Sequence, residues 1–172
     1  MANVLETIFE SAGNDTYQVT TYQFSTFNSS ETGFGGLTVL YNVWNALRGD
    51  AIAPDSTQFT ARRLAIMDSQ LTTTFIDVSD PNPWRYKIVH EHSLSRSNPE
   101  HRLPNGYLKD IACPMRSRVL IRTCMEIRET RQPAYHEIST RIRGDGAQFM
   151  QLSLPLITGD AVSGIILGTR KL

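Results

Sequence analysis

From Phe149 to Leu167 the chain reads FMQLSLPLITGDAVSGIIL, two apolar runs joined by Thr158-Gly159-Asp160-Ala161. Met150, Leu152, Leu154 and Leu156 recur with period two, and Gln151 and Ser153 fall between them. That alternation predicts a strand with one dry face and one wet face. Gly159 and Asp160 carry turn chemistry, because glycine takes positive φ freely and aspartate tolerates it, so the two runs predict an antiparallel hairpin. Upstream, Ala134 to Ile142 alternates in the same way and Arg143-Gly144-Asp145-Gly146 is a second turn, which extends the hairpin to a three-strand meander.

Earlier in the chain the period changes. Leu37, Leu40, Tyr41, Val43, Trp44 and Leu47 line one side of a helix that Gly49 closes and Pro54 prevents from continuing. Phe59, Leu64, Ile66 and Met67 suggest a short helix and connector. Thr72 to Val78 is β-branched and aromatic and predicts a strand. After the proline turn at Ser79 to Pro83, Trp84 to His92 predicts a second strand that folds back as a hairpin. Ser93 to Asp110 has little periodicity and predicts short helical turns and loops. Met115 to Glu129 predicts a longer helix with Val119, Leu120, Thr123, Cys124 and Ile127 in its apolar arc. Arg118, Arg122, Glu126 and Glu129 gather on the opposite, solvated arc, where they can pair at helical spacing. Before all of these, residues 1 to 36 are poor in Leu, Ile and Val. Their one apolar patch, Val4, Leu5, Ile8 and Phe9, has i, i+4 spacing and predicts a helical, partly flexible extension, although Tyr17, Tyr22, Phe24 and Phe27 add aromatics that part of the segment can pack.

Composition sharpens this picture in three ways. The 172 residues suit one domain with a real core, and 17 basic against 17 acidic residues lack the basic excess of a nucleic-acid binder. The acids are unevenly placed, since residues 1 to 36 hold Glu6, Glu10, Asp15 and Glu31 but no Lys or Arg. No apolar run approaches the ~20 residues that span a bilayer, and no secretory leader pattern opens the chain, so a cytoplasmic protein without a membrane partner is expected. Cys113 and Cys124 fit no metal spacing and are too few for a disulfide framework, so both are expected to be free thiols.

Helix, hairpin, short-helix region, longer helix and meander predict an α+β domain over residues 37 to 172, with a five-stranded antiparallel sheet covered by helices and the N-terminal helical extension before it. With Leu40-Tyr41-Asn42-Val43-Trp44-Asn45-Ala46-Leu47-Arg48-Gly49, Pro54, Phe75-Ile76-Asp77-Val78 and Leu154-Pro155-Leu156, this order resembles PAS domains, and more narrowly the single-domain PAS proteins of alphaproteobacteria. The resemblance implies a sheet whose concave face holds a pocket, and a bacterial sensory or protein-interaction module in signal transduction that acts in trans on a separate downstream protein. It also implies a homodimer, formed through the N-terminal helical elements and the outer sheet face.

Candidate chemistry is sparse. The pocket candidates are His136, Ile138, Met150, Leu152 and Leu154 from the meander, Val119, Thr123 and Cys124 from the longer helix, and Tyr107. His136 is the best polar group among them, because a neutral imidazole both donates and accepts. His90 and His92 share one face of a strand, but two ligands are not a metal site. A haem would need an axial histidine on the helical side, for which only His101 presents itself. A flavin photosensor would need a reactive cysteine among Asn and Gln side chains, a context Cys113 lacks. No cofactor is therefore assigned. No nucleophile elbow, phosphate loop or zinc-protease motif is present, so no catalytic residue is assigned either. The sequence leaves three readings: a sensor with a small molecule in its pocket, an interaction domain whose cavity is filled by its own side chains, and a cone-shaped pocket enzyme or carrier using His136 as acid or base.

Overall fold

A computed structural model describes residues 3–27, 35–59, 71–92 and 106–172. Eight strands form one sheet in the order β1-β2-β6-β7-β8-β3-β4-β5, every neighbouring pair antiparallel. They are β1 (Val4–Ala12), β2 (Asp15–Tyr22), β3 (Leu71–Asp77), β4 (Lys87–His92), β5 (Gly106–Tyr107), β6 (Ala134–Ile142), β7 (Asp145–Thr158) and β8 (Ala161–Lys171). Two α-helices accompany them among the described residues, α1 (Gly36–Arg48) and α2 (Pro114–Thr130), with short 3-10 turns between.

The five expected strands, β3, β4, β6, β7 and β8, are present and adjacent, but the expected five-stranded fold covered by helices is not the observed one. The protein is mostly β. Residues 4 to 22 form a hairpin that adds β1 and β2 beside β6, and the two-residue β5 extends the far edge. The i, i+4 patch at Val4, Leu5, Ile8 and Phe9 is strand, not helix. Four apolar residues fit a helical stripe and an irregular strand equally well, and what decides is Gly13-Asn14, with Gly13 at φ 61°, which closes a two-residue turn and sends the chain back along itself. The same device joins β6 to β7, where Arg143 and Gly144 both take positive φ and the Asp15 carboxylate accepts from the Arg143 amide at 2.8 Å. The short-helix expectation for Leu64 to Met67, and most of that for 93 to 110, lies outside the described residues.

Both faces of the central strands are covered, which also corrects the expectation of one wet face. Met150, Leu152, Leu154 and Leu156 pack with Leu37, Leu40 and Trp44 of α1 and with Leu71 and Ile166 of the sheet. Gln151 and Ser153, read from sequence as solvent-facing, are buried on the opposite side, where α2 packs Leu120, Ile121, Cys124 and Ile127 against Ile76, Ile88, Ile165 and Leu167. The longer helix, expected to share a pocket with Met150, Leu152 and Leu154, thus covers the other face of β7. Trp44 fixes α1 by donating its indole N–H to the Pro155 carbonyl at 2.8 Å, a backbone acceptor on the face it covers. Gly168 lets α1 approach β8 closely, since a Cβ there would lie 2.5 Å from a methyl of Leu40. An aromatic cluster of Phe24, Phe27, Tyr41, Trp44, Tyr22 and Tyr135 closes the end of this layer, with ring centroids 5.4 to 6.0 Å apart.

The polar arc of α2 is not simply solvated. Arg118 and Arg122 reach across to Glu10 and Glu6 of β1 rather than to the helix's own glutamates. Two of the acids that stand without a counter-charge in the N-terminal segment, Glu6 and Glu10, are neutralised here, and the Glu10 hydrogen bond raises Arg118 above its usual pKa.

Leu152 is fully buried in the α1 layer. Leu152→Ala is expected to lower the unfolding free energy by ~2–5 kcal/mol and Leu152→Trp by ~1–3 kcal/mol, both read from urea titrations. A Leu152→Trp protein as stable as the parent would show open room beneath α1.

Candidate functional site

The sheet divides the residues expected to share a pocket. Met150, Leu152 and Leu154 lie beneath α1, whereas His136, Ile138, Val119, Thr123 and Cys124 lie on the α2 side. Tyr107 belongs to neither group. It is on β5 at the far edge of the sheet, half exposed, with the Lys109 ammonium 5.4 Å above its ring.

The chemistry-bearing group is therefore the seam between α2 and strands β2, β6 and β7. Tyr17 and Val19 of β2, Ile138 of β6, Gln151 of β7 and Arg116, Val119, Leu120 and Thr123 of α2 line a cavity of about 10 Å³. That is room for about one water and no more. A polar row crosses the sheet beside it, because directly opposed residues of antiparallel strands point to the same face. Thr21 faces His136, His136 faces Gln151, Gln151 faces Thr169, and Thr169 faces Thr72. Within the row the Thr21 hydroxyl and His136 Nδ1 are 3.0 Å apart, and the Gln151 amide donates to the Thr169 hydroxyl at 3.2 Å.

The α2 face of the sheet is incompletely satisfied, within the row at His136 and beside it at Ser153. His136 Nε2 and Ser153 Oγ are buried with no hydrogen-bond partner among the described residues. An unpartnered buried polar atom is costly, so the imidazole avoids carrying a charge as well. Burial lowers the His136 pKa to about 4, leaving the ring neutral at physiological pH. At the other end of the seam burial raises the Tyr17 phenol, and the nearby Arg116 guanidinium works against that shift. Burial also pushes the Cys124 thiol up, keeping it an inert core group.

Of the seam, the sequence identifies His136, Ile138, Val119, Thr123 and Cys124. It misses Tyr17 and Thr21, which only strand register could find once the β1–β2 hairpin is recognised, and Gln151, which the register of the expected β6–β7 hairpin already sets opposite His136. Ser153 is missed for a related reason, its alternation having been assigned to solvent. Among the described residues no group of three or more His, Cys, Asp or Glu side chains could hold a metal ion. His90 has a buried Nε2 with no hydrogen-bond partner among the described residues, and His101 lies outside them. No helix among the described residues is long and apolar enough to cross a membrane.

The His136 shift has a definite sign. Its folded value of about 4 lies below the ordinary 6.5, so between those pH values the unfolded chain binds a proton that the folded chain refuses. Stability contributed by the neutral ring is complete above pH 6.5 and declines as pH falls toward 4, by up to ~1.4 kcal/mol per pH unit. Urea midpoints measured across that range should fall more steeply for the parent than for His136→Gln. Parallel slopes would remove His136 as the cause.

Comparison with protein-family models, with curated proteins and with solved structures finds no match to this chain.

Proposed function

We propose that this chain is a protein-interaction module of a signalling system, with an interior filled by its own side chains, that acts in trans on a separate protein. The observation that carries this reading is the closure of both faces of β7. Leu152 and Leu154 are fully buried beneath α1, and the seam beneath α2 has room for about one water. Ligand pockets for small molecules are ordinarily some 300–1,000 Å³. The signalling part of the reading is supported by the PAS-like motifs around Trp44, Phe75 and Leu154 and by the order of two strands, a helix and three strands, which recurs here as β3, β4, α2 and β6 to β8.

Such a module works by population shift: a partner that binds one arrangement of the cover helices better than another biases the whole domain. The helices are the natural moving parts, because the strands are locked to one another by continuous ladders while α1 and α2 are held chiefly by side-chain packing. A second reading, a small polar ligand under α2, is favoured by the unpartnered His136 Nε2 and Ser153 Oγ.

Native mass spectrometry of freshly purified protein separates the two. The interaction-module reading expects each subunit to have the mass of the polypeptide alone. A stoichiometric small-molecule adduct, lost in His136→Gln, would overturn it in favour of a sensor.

A further inference from the structure

The two ends of the sheet are finished differently. The β5 edge is two residues long, whereas the opposite edge is the nine-residue β1, whose outer side pairs with no strand among the described residues. An exposed edge is a template for another strand, and proteins usually blunt one with Lys, Pro, shortness or a charge held in the way. VLETIFESA contains no Lys, Arg or Pro. Its two charges, Glu6 and Glu10, are held by Arg122 and Arg118 of the same molecule and so do not repel an incoming strand. The remaining devices are a bulge between Val4 and Glu6 and nothing else within the strand. Val4, Leu5 and Phe9 are meanwhile 54%, 63% and 61% exposed, an unusual apolar load for a free edge.

The backbone says which residues would pair. The Gly13-Asn14 loop closes on the Ala12–Asp15 pair, so by the alternation of antiparallel ladders Glu10 and Ile8 direct their amides and carbonyls to β2. Phe9 and Thr7 direct theirs outward. An antiparallel ladder with a two-fold axis at Thr7 uses those outward groups in register and sets Thr7 against Thr7 and Phe9 against Leu5 of the second copy. Threonine pairs and apolar pairs of this kind are favourable across strands. The alternative axis at Ile8 also draws on the outward groups of Thr7 and Phe9, but it sets Thr7 against Phe9 and Glu6 against Glu10, and so gives up the threonine and apolar pairs.

We infer that β1 is a homodimerisation edge, pairing antiparallel with β1 of a second copy about a two-fold axis at Thr7 so that two eight-stranded sheets become one. This rests on the interaction-module reading and names the first partner of that module as another copy of the chain. The interface is isologous, as a two-fold contact requires.

Light scattering with size exclusion tests it on the full chain. The parent should have the mass of a dimer, and Thr7→Pro should halve that mass while keeping the parent's far-UV spectrum and a cooperative melt that no longer depends on protein concentration, because the lost N–H points outward and proline is tolerated on an edge. A second variant guards against misfolding: Thr7→Cys should form an intermolecular disulfide on mild oxidation, since opposed Cα atoms in such a pair stand ~5.5 Å apart. Asp160→Cys, in the β7–β8 turn, should not. A parent that is monomeric at every concentration overturns the inference, and so does a dimer that survives Thr7→Pro with Thr7→Cys uncrosslinked. Neither result bears on the filled interior, which is read separately from the subunit mass.

Discussion

β7 is buried on both of its faces through seven consecutive residues, Met150 to Leu156 with only side-chain chemistry alternating between them, and this double burial sets the terms for everything around it. Antiparallel sheets commonly leave one face to water, so a central strand buried on both faces requires a cover on each side, its neighbours satisfying its backbone but not its pleated surfaces. α1 supplies one cover with Leu37, Leu40 and Trp44. α2 supplies the other with Leu120, Ile121, Cys124 and Ile127. Neither helix can be lost without exposing the strand that organises the sheet.

The two covers are built differently. The α1 layer is almost wholly apolar and aromatic, approaches to within the space left by Gly168, and is pinned by one hydrogen bond from Trp44 to the backbone of β7. The α2 layer is apolar toward β3, β4 and β8 but crosses a polar row at β2, β6 and β7, where His136 and Ser153 have unpartnered atoms. Unsatisfied groups in a low-dielectric interior weaken the packing that surrounds them. α2 is also tied at its outer arc to β1 by Arg118 and Arg122, pairs exposed enough that solvent screening leaves them little net stabilisation. The protein therefore has one apolar cover and one partly polar cover, and the polar one carries the titratable chemistry and the link to the sheet's free edge. That asymmetry connects the interior to the surface at which an interaction module would act.

The N-terminal hairpin changes the character of the domain more than its size suggests. It extends the sheet beyond β6, brings Tyr17, Val19 and Thr21 under α2 to complete the seam, and delivers Glu6 and Glu10 to the arginines of the helix. It also moves the sheet's edge from β6, whose alternate residues are buried, to β1, whose apolar side chains are exposed.

What the sequence determined by itself was the meander, both α-helices and the β3–β4 hairpin, and it did so where a period ran long enough to be read against its turns. Leu37 to Leu47 and Met115 to Ile127 repeat over three or more helical turns, and the strands of the meander are separated by glycine turns whose chemistry admits one geometry. Tertiary structure decided the rest. Val4, Leu5, Ile8 and Phe9 are too few to distinguish a helix from a bulged strand, and the choice was made by the Gly13-Asn14 turn together with β6, whose outer edge receives the β2 arm of the hairpin. Gln151 and Ser153 alternate with leucines as surface residues do, yet a second helix covers them. His136 could be assigned to a buried face from its neighbours Ile138 and Ile142, but its partner Thr21 lies 115 positions away, and only the pairing of β2 with β6 brings the two together. A strand's local pattern records which residues share a face; it does not record what lies across that face, because that depends on chain segments with which it has no local relation.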